Sequence, residues 1–288
     1  MNNIQSKVPK NKNFSEKAVL KIKSDSRLIK IISELKITDE EIFNNLVNFI
    51  NLKENLDNIK NSIFNIKVKR GKLNNLIFEK TASNNKASKN VVKQMNLILT
   101  QITDSSDEAE IKKIKTNIKE RENLVEYINI LLQAFNTQNK DFYKNIYISG
   151  SSKSGKTYIA NAIANEFASN GFSTAIIDTK DLYNFLTNKL KNKESFNDII
   201  LALKTVKILI IDNLGFEKNN AWFKYDILKE IISYRNNNKN INIYSSPLSL
   251  EELKRFYFES ENTSNKFKVE SLNSEIDFNL IQFKISNN

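Results

Sequence analysis

The sequence predicts an α/β fold, a parallel sheet covered by helices on both faces, and three observations carry that prediction. Short apolar runs alternate with helix-period segments from residue 145 to 258, the pattern of successive βαβ units. The first run, Ile146, Tyr147 and Ile148, leads through GSSKSGKT (150–157) into a helix with Ile159, Ala160, Ile163, Ala164 and Phe167 on one face. A later run, KILIID (207–212), is apolar until it closes on an acid, as a buried parallel strand does when it ends at a metal site.

The loop satisfies G-x-x-x-x-G-K-[ST] through Gly150, Gly155, Lys156 and Thr157. The glycines free the backbone for conformations that turn successive N–H groups onto phosphate oxygens, and the following helix adds the positive end of its dipole. Lys156 is expected at the β- and γ-phosphates of ATP and the Thr157 hydroxyl in the shell of Mg²⁺. Ser151, Ser152, Lys153, Ser154 and Tyr158 complete the stretch expected to hold the nucleotide. A chance glycine-serine loop is the plain alternative. With five glycines in 288 residues, an accidental match has a probability on the order of one in a thousand.

In chain order, residues 1–22 are polar and basic and read as a disordered arm. Two small helices come next over 25–60, one started by the capping box Thr38–Glu41. Phe64, Ile66 and Val68 alternate with polar residues, and after a turn at Gly71 the segment 76–78 returns, predicting a β-hairpin. Residues 81–90 read as a polar linker. One long helix is expected from Asp107 to Phe135, with Ile111, Ile114, Ile118, Leu124, Ile128 and Leu132 inward. Beyond the phosphate loop come Asn170-Gly171 as a helix stop, a strand over 173–178, helices from Thr179 and Ser195, and the strand ending at Asp212. A helix over 221–235, a strand over 241–246, a helix over 250–258 and a closing strand over 276–285 complete the chain. The division expected is an arm (1–22), an N-terminal domain with its linker (23–102) and a nucleotide domain (103–288). The ligand belongs at the carboxyl ends of the strands.

The acid ending the third strand, Asp212, is expected to hold Mg²⁺ through water, and the next residue commonly activates the attacking water. That residue is Asn213, an amide that can orient a water but takes no proton at neutral pH. Hydrolysis is therefore expected to be weak unless Glu217 reaches the site. Cysteine and histidine are absent, which excludes disulfides, Cys/His zinc sites and His-based catalytic pairs. The net charge is +11. Residues 1–144 hold 26 Lys+Arg against 17 Asp+Glu, and the remainder 18 against 16, so the excess precedes the phosphate loop. Lys67, Lys69, Arg70 and Lys72 form its densest cluster, open equally to a phosphate contact and to a solvated turn. No apolar run suits a membrane span or a signal peptide, and a cytoplasmic protein with no membrane partner is expected.

Taken together, IYISGSSKSGKTYIANAIANEFASNGFST, ILIIDNLGFE, AWFKYDILKEIISYRNN and IYSSPLSLEEL resemble the bacterial helicase loaders of the DnaC/DnaI type, a branch of the AAA+ ATPases. The resemblance covers about 110 residues. It implies an AAA+ P-loop domain after a small, mainly helical N-terminal domain with a β-hairpin. It also implies ATP and Mg²⁺ as ligands, the replicative hexameric DNA helicase and single-stranded DNA as partners, and leaves a homo-oligomer open. The sequence departs from the loader pattern in lacking residues for a zinc site, in Asn213, and in Pro247 where a polar sensor is expected, with Ser245 and Ser246 as substitutes. No arginine occurs after Arg255, so Lys266 or Lys268 is the nearest counterpart of the finger and sensor arginines. The resemblance therefore implies ATP binding with poor turnover. A transposition helper of the IstB-like kind and a non-hydrolysing ATP-binding adaptor are the competing readings.

Overall fold

Thr38 starts a helix where its capping box predicts one: its side chain accepts from the Glu41 N–H, and the Glu41 carboxylate accepts from the Thr38 N–H at 2.9 Å. The computed structural model describes residues 12–286 apart from 72, 84, 104 and 117. The chain falls into two units, residues 1–91 and 92–288.

The first unit contains α1 (Lys12–Lys23), α2 (Ser26–Glu34), α3 (Asp39–Asn44), α4 (Leu46–Asp57), β1 (Phe64–Arg70) and β2 (Leu76–Ala82). Its core is Ile22, Leu28, Ile37, Ile42, Phe49, Leu52 and Ile66. Residues 12–22, expected as arm, are thus helix α1: Val19 and Ile22, three apart, face this core. Residues 1–11 of that arm lie outside the described residues. Three helices occupy the span expected for two, because Asn45 interrupts it by donating its side-chain amide to the Glu41 carbonyl. Asn55 ties α4 to the hairpin, donating to the Phe64 carbonyl at 2.6 Å and accepting from the Ile66 N–H at 3.0 Å.

Residues 81–90 are not all linker. β2 runs to Ala82, and α5 (Lys86–Asn96) begins where the Asn85 side chain accepts from the Ser88 N–H at 2.8 Å.

The second unit is a six-stranded parallel sheet. Its strands are β3 (Leu97–Ile98), β4 (Asn145–Ser149), β5 (Thr174–Asp178), β6 (Ile208–Asp212), β7 (Ile241–Ser246) and β8 (Leu280–Lys284), in spatial order β3-β5-β6-β7-β4-β8. Because β3 pairs with β5, residues expected in the linker belong to this sheet. Alternate residues serve the two faces. Ile146, Ile148, Ile210 and Ile243 pack with α6 (Lys119–Thr137) and α7 (Lys156–Ser169). Tyr147, Ile177, Ile211 and Tyr244 pack on the opposite face with α8 (Thr179–Lys191), α9 (Asn197–Thr205), α10 (Lys229–Asn237), α11 (Leu250–Glu259) and α12 (Lys266–Asp277).

Three expectations change. The long helix starts only at Lys119. Residues before it are held in irregular form by α7, whose Asn161 accepts from the Ser106 N–H at 2.8 Å and whose Asn165 donates to the Ser106 and Ala109 carbonyls. Ile111 and Ile114 are buried all the same, at the two ends of a single 3-10 turn (Ile111–Lys113 with Ile114 as its cap), so their spacing reflects that buried turn and not the long helix. Residues Trp222–Leu228 form a π-helix running into α10. The closing strand begins at Leu280, since residues up to Asp277 belong to α12.

Candidate functional site

Between β4 and α7 the chain makes the tight turn its motif requires. Lys153 and Gly155 adopt φ of 65° and 88°, left-handed conformations that turn neighbouring N–H groups to one side. No neighbouring atom would meet a Cβ at Gly155, so that glycine serves its φ. Gly150 serves proximity: a Cβ there would stand 2.2 Å from the Ile285 carbonyl oxygen and 2.9 Å from Ser154 Oγ. The loop is braced from below, where Arg121 Nη2 donates to the carbonyls of Ser154 and Ser286 and the Ile285 N–H donates to Ser149.

A cavity of about 640 Å³ opens over this loop, lined by Ser152, Lys153, Gly155, Lys156 and Thr157, by Asp178 and Lys180 after β5, and by Asn213, Phe216, Lys218 and Pro247. That volume suits a nucleotide. The Lys156 ammonium donates to the carbonyls of Gly150 at 2.7 Å and Ser151 at 2.9 Å. Burial lowers its pKa, while Asp212 pulls it the other way.

Asp212 ends β6 beneath the cavity, 3% exposed. Its Oδ1 accepts from the Asn213 N–H and from Ser245 Oγ. Among the described residues nothing donates to Oδ2. Thr157 in the lining and this open carboxylate oxygen are a hard-oxygen pair that fits Mg²⁺. No group of three or more acids able to hold a metal occurs among the described residues, so the ion would also need phosphate oxygens.

The remaining expected residues separate. Asn213 lines the cavity with φ of 56° and donates its amide to Asp178 Oδ2 at 2.7 Å. Glu217 does not line it: its carboxylate accepts from Tyr257 Oη and from the Gly215 N–H at 2.8 Å, and it is 9% exposed. Burial raises its pKa against those hydrogen bonds. Tyr158 meets the Glu110 backbone instead, accepting from its N–H at 3.3 Å. Ser154 is buried, and Gly150 and Ser151 stand outside the lining, with Ser151 exposed. Ser245 is engaged by Asp212, Ser246 donates to the Leu214 carbonyl, and Pro247 faces the cavity.

Lys266 stacks over the Phe258 ring at 4.3 Å and Lys268 over Tyr225 at 5.8 Å, neither in the lining. Sequence reasoning missed Asp178, Lys180, Phe216 and Lys218. Asp178 was visible as the acid closing the second strand, directly in register with Asp212. In the first unit, Arg70 is committed to the Leu35 and Lys36 carbonyls and to Glu41, and Lys69 to Glu79. The basic hairpin cluster therefore loses two of its four charges, and Lys72 lies outside the described residues.

A family profile described as "IstB-like ATP binding protein" matches residues 132–265. Among curated proteins, the replicative helicase loader DnaI of Bacillus subtilis (strain 168) is 25% identical over 138 residues, 48% of this chain and 43% of the relative. The aligned part thus spans less than half of that relative's length. Among solved structures, a crystal structure of DnaI superposes with a TM-score of 0.53 at 21% identity, covering 68% of this chain and 97% of that one. The replication initiator DnaA bound to AMPPCP and single-stranded DNA superposes at 0.52 with 17% identity, covering 65% of this chain and 52% of that one. Profile, relative and fold converge on one likeness: residues 132–265 match an IstB-like ATP-binding profile, and the fold of the second unit is similar to that of the helicase loader DnaI.

Proposed function

We propose that this chain is an ATP-binding helicase loader, which brings a replicative hexameric DNA helicase onto single-stranded DNA in the cytoplasm and turns ATP over slowly. The cavity over the phosphate loop carries the reading, because it joins Lys156, Thr157 and Asn213 in one space of nucleotide size. The N–H groups of 152–157 and the Lys156 ammonium hold the phosphates, and Thr157 with Asp212 Oδ2 holds Mg²⁺. When bound, the ion neutralises phosphate charge. Lys180 and Lys218 add positive charge at the cavity wall, whose lining contains no arginine among the described residues. Slow turnover is expected from Asn213 and from the engagement of Glu217 with Tyr257.

The DnaI likeness supports the helicase as partner, and a first unit with its own core and hairpin supports a separate gripping domain. Binding to single-stranded DNA and self-association belong to the same proposal. Titration calorimetry with Mg-ATP tests the nucleotide step. Equal affinity in wild type and Lys156→Ala would remove the site, and a pull-down that fails to retain the host's replicative helicase would remove the loader role.

The name of the matching profile favours a second reading, a transposition helper on the same nucleotide domain. Recovery of a transposase in that pull-down would decide for it.

A further inference from the structure

We infer that Asp178 takes the proton of the attacking water when ATP is hydrolysed, in place of Asn213; the inference rests on ATP binding as proposed above. Four acids stand near the strand ends or the loop beyond them, and three are ruled out by what they touch or where they lie. Asp212 is below the lining with Oδ1 doubly engaged. Glu217 is turned to Tyr257 and Gly215. Asp181 does not reach the cavity wall, whose one acid among the described residues is Asp178.

Asp178 is partly exposed at the carboxyl end of β5, in register with Asp212 on the neighbouring strand, and such strands lie about 4.8 Å apart. Its Oδ1 caps α8 by accepting from the N–H groups of Lys180 at 2.8 Å and Asp181 at 3.1 Å. Its Oδ2 accepts the Asn213 amide at 2.7 Å. A carboxylate oxygen has two acceptor sites, so Oδ2 retains one for a water. The amide then has a defined role: it fixes the carboxylate and can orient the same water, while the carboxylate accepts the proton. The water oxygen forms its bond to the γ-phosphorus as the bond to the β,γ-bridging oxygen breaks. ADP leaves with that electron pair, and the proton passes from water to Asp178 Oδ2 and on to solvent, giving ADP, inorganic phosphate and H⁺.

Capping alone would also explain an aspartate here, and Asp178→Asn separates the roles, since asparagine caps a helix as well as aspartate. Asp178→Ser serves as a second cap-preserving variant. Phosphate release by the full chain with Mg-ATP, the calorimetric Kd for Mg-ATP and the thermal midpoint are measured for each. The expected result is a fall in kcat of about 10²–10⁴-fold, with Kd within about threefold of wild type and the midpoint unchanged. Unchanged kcat in both variants overturns the inference. So does a loss confined to Mg-ATP affinity, which would make Asp178 a holder of the ion. Wild type that binds ATP but releases no phosphate above a Lys156→Ala background overturns it while leaving ATP binding intact, whereas wild type that fails to bind ATP overturns both.

Discussion

Replacing Glu261 with Gln tests the buried charge pair of the second unit. Lys224, in the π-helical stretch, pairs with Glu261 between α11 and α12, and their side chains are only 2% and 7% exposed. The ammonium also donates to Asn219 Oδ1 at 2.6 Å and lies 5.4 and 5.6 Å from the ring centroids of Tyr257 and Tyr225. Glu261→Gln keeps the shape but strands a cation with one amide and two rings, and breaking a buried pair in this way costs about 3–5 kcal/mol. At about 2–4 °C per kcal/mol for a unit of this size, its melting midpoint should fall by roughly 6–20 °C, read by circular dichroism. The double variant Lys224→Met/Glu261→Met removes both charges and should recover most of the loss. Burial tends to raise the Glu261 pKa, but the hydrogen bonds it accepts from Lys224 and Asn265 outweigh this and leave it below 4.5. The stability from the pair is therefore complete above pH 4.5 and lost as pH falls through the lower folded value. A single variant melting within about 2 °C of wild type, or a double variant falling as far as the single, would refute the reasoning.

Lys156→Ala should weaken Mg-ATP binding about 10- to 150-fold in calorimetry, the loss of a charge-assisted contact of roughly 1.5–3 kcal/mol. Gly150→Ala should lower the thermal midpoint and weaken ATP binding together, because the new methyl meets the Ile285 carbonyl; overpacking of this kind costs about 1–3 kcal/mol. Glu217→Gln should leave phosphate release unchanged, since Glu217 faces Tyr257 and not the cavity. Its stability separates from wild type in one direction. The raised pKa of Glu217 stabilises the folded chain below pH 4.5, and wild type loses that contribution as pH rises through the folded value. Urea midpoints measured from about pH 4 to 8 should show Glu217→Gln gaining on wild type across that window.

The phosphate loop and the strands around it were legible because each is a local pattern: a fixed glycine spacing, apolar runs, and an acid at a strand end. What escaped depends on contacts made across the fold. Asn161 and Asn165 hold the backbone of 106–109 by side-chain bonds, and no periodicity in those residues reveals it. Helix α5 was hidden by polar composition, and α1 by a paucity of apolar residues that Val19 and Ile22 suffice to overcome. Glu217 looked able to reach the site from its distance along the chain, but Gly215, with φ of 96°, turns the loop so that the carboxylate points inward. The partnership of Asn213 with Asp178 joins residues 35 apart, and register between β5 and β6 had to be known before it could be seen.

The edge strand β8 and the phosphate loop share Ile285, Ser286 and Arg121 as fasteners. Fraying at the rim of the sheet would therefore loosen the cradle on which the triphosphate rests, and a nucleotide seated there should slow amide exchange at Phe283 and Ile285, well over a hundred positions along the chain from Lys156.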